Sequence, residues 1–260
     1  YDENAPERGL YVFDAVPGEG YTFVDGAIAP RITVYIPEAI SLAPLRMGGG
    51  GTDVSPLKIT TAAQLGEIAE LVNVGRLETF LFNDSEASVY LELKKDLDLS
   101  TYGRDWNGGK GWKPIGTAEN PFKGHFDGGG NTIAGLYIND AALSNAGLFG
   151  SVEGGIVHKL SIKGVDITGK ASVGGIAGQI KNAAVEKCGV TGSINGTGYD
   201  VGGVVGIIYE NASVKNCYSA GSVESTGSYV GGIAGKLTTI TSAVQNCYST
   251  ATVKGYMRVG

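Results

Sequence analysis

From about residue 88 onward, short runs of alternating apolar and polar residues are separated by glycine-rich turns. A period of two places successive side chains on opposite faces of a strand. In "AAVEKCGVTGSI" (183–194) the inward positions are Val185, Cys188, Val190 and Ile194. One repeat later, in "ASVKNCYSAGSV" (212–223), they are Val214, Cys217, Ser219 and Val223. A third copy, "SAVQNCYSTATV" (242–253), aligns without gaps. Half a repeat away stand "AGLFG" (146–150), "VGGIAG" (173–178), "VGGVVG" (201–206) and "VGGIAG" (230–235). Their last glycines, Gly150, Gly178, Gly206 and Gly235, are spaced by 28, 28 and 29 residues. A phosphate-binding glycine loop is built once, between a strand and a helix. A recurring period marks a stacked array in which each unit buries its apolar side on its neighbours. The glycines are therefore expected to be structural, marking the corners of a coil. A coil of this length fits three short strands and three turns, stacked roughly 4.8 Å apart into parallel sheets. The predicted fold class is all-β: a parallel β-helix, right-handed by the general preference of parallel crossovers.

The pattern changes upstream. In "TTAAQLGEIAELVNVG" (60–75), Leu65, Ile68, Ala69 and Val72 follow helical spacing. Thr61 with Gln64 fits a capping box and Gly75 a C-terminal stop. A solenoid needs an end cap over its open strand edges and core, and this helix is expected to supply it. Residues 1–47 show β-type alternation, as in "RITVYIPEA", where Ile32, Val34 and Ile36 share a face. Pro30, Pro37 and Pro44 suggest short edge strands there. The expected organisation is a small β-rich segment or tail of a preceding domain (1–47), a glycine-rich linker (48–57) and a helix-capped β-helix (58–260) with repeats from about 146. The chain lacks an initiator Met and stops at Gly260, where a further copy would begin. It is expected to be a fragment or processed form, open at its C-terminal end.

Composition narrows the class. Hydrophobic residues make up 42% and charged residues 18%, enough apolar material for a substantial core. No apolar run approaches the roughly 20 residues of a membrane-spanning helix. The net charge of −6 divides unevenly: 11 Lys/Arg against 20 Asp/Glu in residues 1–140 (−9), and 9 against 6 in 141–260 (+3). Neither half carries the dense basic patch of a nucleic-acid binder. Cys188, Cys217 and Cys247 recur at one register, where Leu160 stands in the repeat before. A position that accepts Cys or Leu is apolar and inward, so free buried thiols are expected, not a metal site or a disulfide framework.

The repeats resemble the GLUG repeats of bacterial surface proteins: "AGLFG", "VGGIAG" and "VGGVVG", each followed by an apolar strand and, in two repeats, by "NCYS". The stretches "ITTAAQLGEIAELVN", "KKDLDLS", "GWKPIG" and "PFKGHFDGGGNTIAGLYI" are similar to the helix-capped beginning of the same β-helix. The resemblance covers about residues 58–260. It implies an exported protein, extracellular or on the bacterial cell surface, often of gut-type bacteria and often an adhesin. Such repeats also stand beside the catalytic part of immunoglobulin-A-cleaving metallopeptidases.

Function has to be argued from a site, not a scaffold. His125 and His158 do not form an H-E-x-x-H zinc motif, and no G-x-S-x-G elbow is present. A glycosidase needs two carboxyl groups roughly 5–10 Å apart, and no carboxylate ladder is evident in residues 141–260. Asp96, Asp98 and Asp105 offer oxygen ligands for calcium, but alternation predicts Leu97 and Leu99 inward and the aspartates solvated. Asn131 is expected to bond turn backbone. The aromatics suggest a surface site. Tyr218 and Tyr248 follow their cysteines and point outward; Tyr199 and Tyr229 sit near successive "VGG" runs, offset by one residue. These four are the candidate ligand-binding residues, against the plainer alternative of a self-packing ladder. The expected function is a non-enzymatic cell-surface adhesin or spacer binding a host glycan or extracellular protein, without cofactor or metal. The alternatives are a polysaccharide hydrolase or lyase on a β-helix scaffold, and a stalk that binds nothing itself.

Overall fold

The computed structural model of the chain describes residues 9–14, 31–36, 47–82 and 88–260. It forms two compact units, Tyr1–Leu45 and Arg46–Gly260. In the first, strands Gly9–Asp14 and Arg31–Ile36 pair antiparallel, Gly9 opposite Ile36 and Asp14 opposite Arg31. The expectation about Pro30, Pro37 and Pro44 lies outside the described residues.

The second unit is a parallel β-helix. Its first sheet has seven strands, from Leu57–Ile59 through Tyr90–Leu93, His125–Asp127, Ile156–His158, Ala184–Glu186 and Ser213–Lys215 to Ala243–Gln245. The second sheet is built on the long strands Ser161–Gly169, Gly189–Gly196 and Tyr218–Ser225. The third joins Val173–Gly174, Val201–Gly202, Ser228–Gly231 and Met257–Val259. The fourth joins Phe149–Glu153, Ala177–Lys181, Val205–Ile208 and Ala234–Leu237. Each full coil thus has four strands, not the expected three. The extra strand comes from the "VGGIAG" run, which is a two-residue strand, a bend, and the beginning of the next strand rather than a single corner.

In-register pairing stacks like on like along the core. Phe126, Val157, Val185 and Val214 form one inward column, and Ile138, Ile167, Ile194 and Val223 another. All eight are buried, and so are all eight inward positions read from the repeats. A third column runs Ile133, Ile162, Val190 and Ser219. Its buried hydroxyl is satisfied: Ser219 donates to the Gly232 carbonyl and lies 2.8 Å from the Ser249 hydroxyl. That removes the desolvation penalty of a lone buried polar group.

The corners are turned by residues in the left-handed region, and these are not the four repeat glycines. Asn145, Ser172, Asp200 and Tyr229 occupy one corner with φ of 59°, 52°, 63° and 63°. Gly150, Gly178, Gly206 and Gly235 keep ordinary φ and lie where one coil's backbone rests on the next. A Cβ on Gly206 would meet the Ser172 carbonyl carbon and the Val173 nitrogen at 2.5 Å, and one on Gly178 would overlap the Asn145 Cα. The expectation that these glycines are structural holds at the level of packing. The mechanism is close approach, not turn conformation.

The helix α1 (Ala62–Asn73) forms as its caps dictate. Thr61 Oγ1 accepts from the Gln64 N–H at 3.2 Å and Gln64 Oε1 accepts from the Thr61 N–H at 3.1 Å. At the other end Gly75, at φ 66°, donates to the Val72 carbonyl and Arg76 to the Leu71 carbonyl, closing the last turn. Leu65, Ile68, Ala69, Leu71 and Val72 are buried. The helix directly follows Leu57–Ile59, the edge strand of the first sheet, and so covers the N-terminal end of the core. A second short helix, α2 (Leu77–Phe82), follows; its six residues carry too little periodicity to announce it. The 48–57 segment, expected as a joint, folds onto the β-helix. Lys58 donates to the Gly48 carbonyl and Tyr90 to the Gly51 carbonyl, each at 2.8 Å.

Gly206→Ala is expected to lower stability by about 1–3 kcal/mol, the range for overpacking a close-packed site. In Gly48→Ala the nearest atom to the new Cβ is Lys58 Cδ at 3.6 Å, and the urea midpoint should barely move. Thr61→Ala should cost about 1 kcal/mol through the lost cap. Equilibrium urea unfolding of the three variants checks all of these.

Candidate functional site

The tyrosine candidates separate into two different environments. Tyr218 and Tyr248 are paired in register on the outer face of the second sheet. Their rings stack at a centroid distance of 5.7 Å and 14° between planes. Tyr218 leans back over Gly189 of the preceding coil, where a Cβ would overlap its ring. Tyr248 is 62% exposed. The geometry is that of a self-packing ladder, worth roughly 0.5–1.5 kcal/mol per pair, with one ring still open to solvent. Tyr199 and Tyr229 do not form a second ladder. Tyr229 stands at the left-handed corner in register with Asp200, and Tyr199 is one residue off. Two cations lie over the Tyr229 ring, Lys236 Nζ at 4.9 Å and Arg258 Cζ at 4.6 Å from the centroid. The strand Tyr218–Ser225 separates the two groups.

The cysteine column is an internal hydrogen-bond relay. Cys217 Sγ accepts from the Cys188 N–H and Cys247 Sγ from the Cys217 N–H, both at 3.4 Å. Each thiol in turn donates to the carbonyl two residues before it, at 3.1–3.2 Å. The sulfurs therefore satisfy backbone groups left over beside a left-handed corner. The adjacent Cys217 sulfur and burial hold the Cys188 thiol well above its ordinary pKa, which keeps it protonated and unreactive. All three are free; Cys188 and Cys217 are buried and Cys247, in the last coil, is partly exposed.

Acidic residues line up on the outer face of the first sheet, in a row that the repeat registers did not reveal. Pairing places Glu92, Asp127, His158, Glu186 and Lys215 in one column. Glu92 pairs with Lys94 at 2.7 Å and Asp127 with Lys159 at 3.2 Å. Asp127 sits 3.9 Å from His158 Nδ1. Burial opposes ionisation of Asp127, but the Gly129 N–H and the Lys159 ammonium outweigh it and hold the carboxyl below its usual range. Beside this column His125 stacks flat on Tyr90, 4.4 Å apart. Burial, with His158 nearby, lowers its pKa.

Two of the three aspartates weighed as calcium ligands bond backbone instead. Asp96 accepts from the Thr132 N–H at 2.7 Å and Asp98 from the Ser100 N–H at 2.8 Å, while Leu97 and Leu99 are buried. Among the described residues no three His, Cys, Asp or Glu side chains gather where they would hold a metal ion. Asn131 bonds the Leu93 and Gly128 carbonyls, as expected.

Two recesses of the surface lie elsewhere, where α1 meets the irregular stretch 100–120. Tyr102 stands edge-on to both Trp106 (4.9 Å) and Trp112 (5.1 Å). Trp112 is buried and donates its Nε1–H to the Leu148 carbonyl at 3.1 Å. Asn73 fastens the helix to this stretch, donating to the Pro114 carbonyl and accepting from the Gly116 N–H. Between α1 and the aromatics is a cavity of about 100 Å³ lined by Glu67, Glu70, Tyr102, Trp106 and Trp112. Burial and Glu70 push the Glu67 carboxyl above its usual pKa. Across Asn73, Trp112 and Lys113 opens a groove of about 400 Å³ bordered by Asn107, Lys110, Glu119, Asp140 and Asn145. The Lys110–Asp140 ion pair, at 2.8 Å, spans its rim. Apolar walls with a few amides and charges at the edge are the ordinary make-up of a ligand recess. Repeat-based reasoning passed over this site because it lies before the repeats. The signal was present in "TYGRDWNGGKGW" (101–112), which holds both tryptophans of the chain.

Residues 197–224 and 226–254 match the GLUG motif, so the chain carries two copies of that motif. A protein of Evansella cellulosilytica, provisionally named a Gly-rich membrane protein, is 36% identical over 147 residues, 54% of this chain and 15% of its own length. Halomucin of Haloquadratum walsbyi is 30% identical over 162 residues, 61% of this chain and 2% of its own length. The chain thus spans a small part of the curated relatives it matches. Among solved structures, one from Bacteroides ovatus provisionally named an immunoglobulin A1 protease superposes with a TM-score of 0.62 at 23% identity. The match covers 82% of this chain and 64% of that one, and it shows a shared fold.

In the folded chain Ellman's reagent should modify Cys247 first and leave Cys188 and Cys217 unreacted until unfolding, when three thiols are released. Equal reactivity of all three in the native state would refute the buried relay.

Proposed function

We propose that this GLUG-repeat β-helix is a non-catalytic module of an exported surface protein, of adhesin or spacer type, docking a host glycan or protein. One observation carries the reading: the groove beside Trp112, a preformed recess with apolar walls and a few polar groups, fastened to α1 through Asn73. Ordered walls lower the entropy a ligand loses on binding. The exposed Tyr248 offers a flatter second contact. Surface display rests on the GLUG motifs and on the relative named a membrane protein. No described helix is long and apolar enough to cross a membrane.

A polysaccharide hydrolase or lyase is the alternative. It is favoured by Glu92 and Asp127 standing directly opposite each other on neighbouring strands, since a glycosidase works with two carboxyl groups side by side. Against it, both carboxylates are paired with lysines and Asp127 is held ionised, whereas such an enzyme needs one carboxyl kept protonated.

The test is binding of the chain to arrays of host glycans and matrix proteins, with and without calcium. Binding is expected, and Asn145→Ala or Lys110→Ala should weaken it about tenfold, the loss of one charge-assisted or buried hydrogen bond. Tyr218→Ala/Tyr248→Ala should leave most of it. Loss in the tyrosine variant alone would move the site to the second sheet. Shortening of a bound glycan would overturn the non-catalytic reading, and a blank array would leave a spacer.

A further inference from the structure

The small cavity under α1 differs in chemistry from the groove next to it. Glu67 and Glu70 lie one turn apart on the helix, and both face it. Glu67 Oε2 is shut off from solvent and has no hydrogen-bond partner among the described residues. A shielded carboxylate oxygen without a donor is costly, and the cost is recovered only if something positive or donating enters. The opposite walls are aromatic: Tyr102 perpendicular to Trp106 and, at 5.1 Å, perpendicular to Trp112. Aromatic rings and carboxylates lining one cavity favour an ammonium group as its occupant. The exposed Lys113 already places its Nζ 5.6 Å from the Trp106 ring centre, at the rim. One ammonium against two carboxylates leaves the lining at 1 − 2 = −1.

Size selects among cations. At about 100 Å³ the cavity is well below the roughly 300–1,000 Å³ that takes a whole drug-sized ligand. It admits one head group on a narrow stem, while the rest of the ligand must lie outside, in the groove that shares Asn73, Trp112 and Lys113. A lysine side chain is a compact ammonium on a flexible four-carbon stem. We infer that this cavity is a specificity pocket for a lysine side chain of a partner protein whose backbone lies in the adjoining groove. The inference rests on the binding role given above and names the partner chemistry.

The chain reports on the pocket directly, since its only two tryptophans, Trp106 and Trp112, are both in the wall. Tryptophan emission of the full chain is followed during titration with Nα-acetyl-lysine methylamide, with the uncharged Nα-acetyl-norleucine methylamide, and with glucosamine. A saturable change is expected for the lysine probe alone. Glu67→Gln, which keeps the shape and removes the charge, should weaken it about tenfold. If that variant does not fold, as judged by circular dichroism, Glu70→Gln on the exposed edge of the helix serves in its place with the same expectation. An equal response to norleucine, no saturable response to lysine, or an unchanged affinity in the variant would overturn the inference. Tighter binding of glucosamine than of lysine would overturn it too, in favour of an amino sugar. Array binding without a lysine response sinks this inference alone; a lysine response with a blank array sinks the surface-binding role alone.

Discussion

Parallel pairing in exact register between successive coils is the constraint from which the rest of this structure follows. Backbone hydrogen bonds run along the solenoid, so each inward side chain must sit on its own counterpart one coil later. Phe126, Val157, Val185 and Val214 obey this, and so do Leu160, Cys188, Cys217 and Cys247. Where side chains meet, apolar groups of related size are enough. Where backbone meets backbone, at Gly178, Gly206 and Gly235, no side chain fits at all. Stacking also explains the polar atoms inside. Ser219 and the thiols survive in the core because each finds a partner in the coil above or below.

The same regularity limits what the repeats can do chemically. A residue repeated on an outer face is flanked by its own copies, as Tyr218 is by Tyr248, or by salt-bridge partners, as Asp127 is by Lys159. Such faces are flat. A recess needs a break in the repeat, and the chain has one where the capping helix meets residues 100–120. There the walls come from α1, an irregular aromatic stretch and the 140–145 turn. The scaffold's contribution to function is rigidity at that end; the irregular insertions supply the chemistry.

The sequence by itself determined the period, the inward columns, the α1 caps and the burial of two of the three thiols; Cys247 is partly exposed in the last coil. Each is a local or strictly periodic property: a 28-residue spacing, alternation, or a Thr–Gln pair three apart. The GLUG resemblance rested on the same repetition. What only the tertiary structure decided were the relations between residues of different period or none. The fourth sheet arises because the "VGG" bend is too tight to read as two elements. The residues 48–57 join the first coil through backbone bonds that no side-chain pattern encodes. Tyr199 and Tyr229 part because a one-residue offset at a corner changes the column a side chain enters. Glu92 and Asp127 become neighbours because the early coils are longer than the repeat, so counting cannot align them. The groove and its aromatic pocket join α1 to loops some 30–80 residues away in the chain, and only the folded backbone sets that meeting.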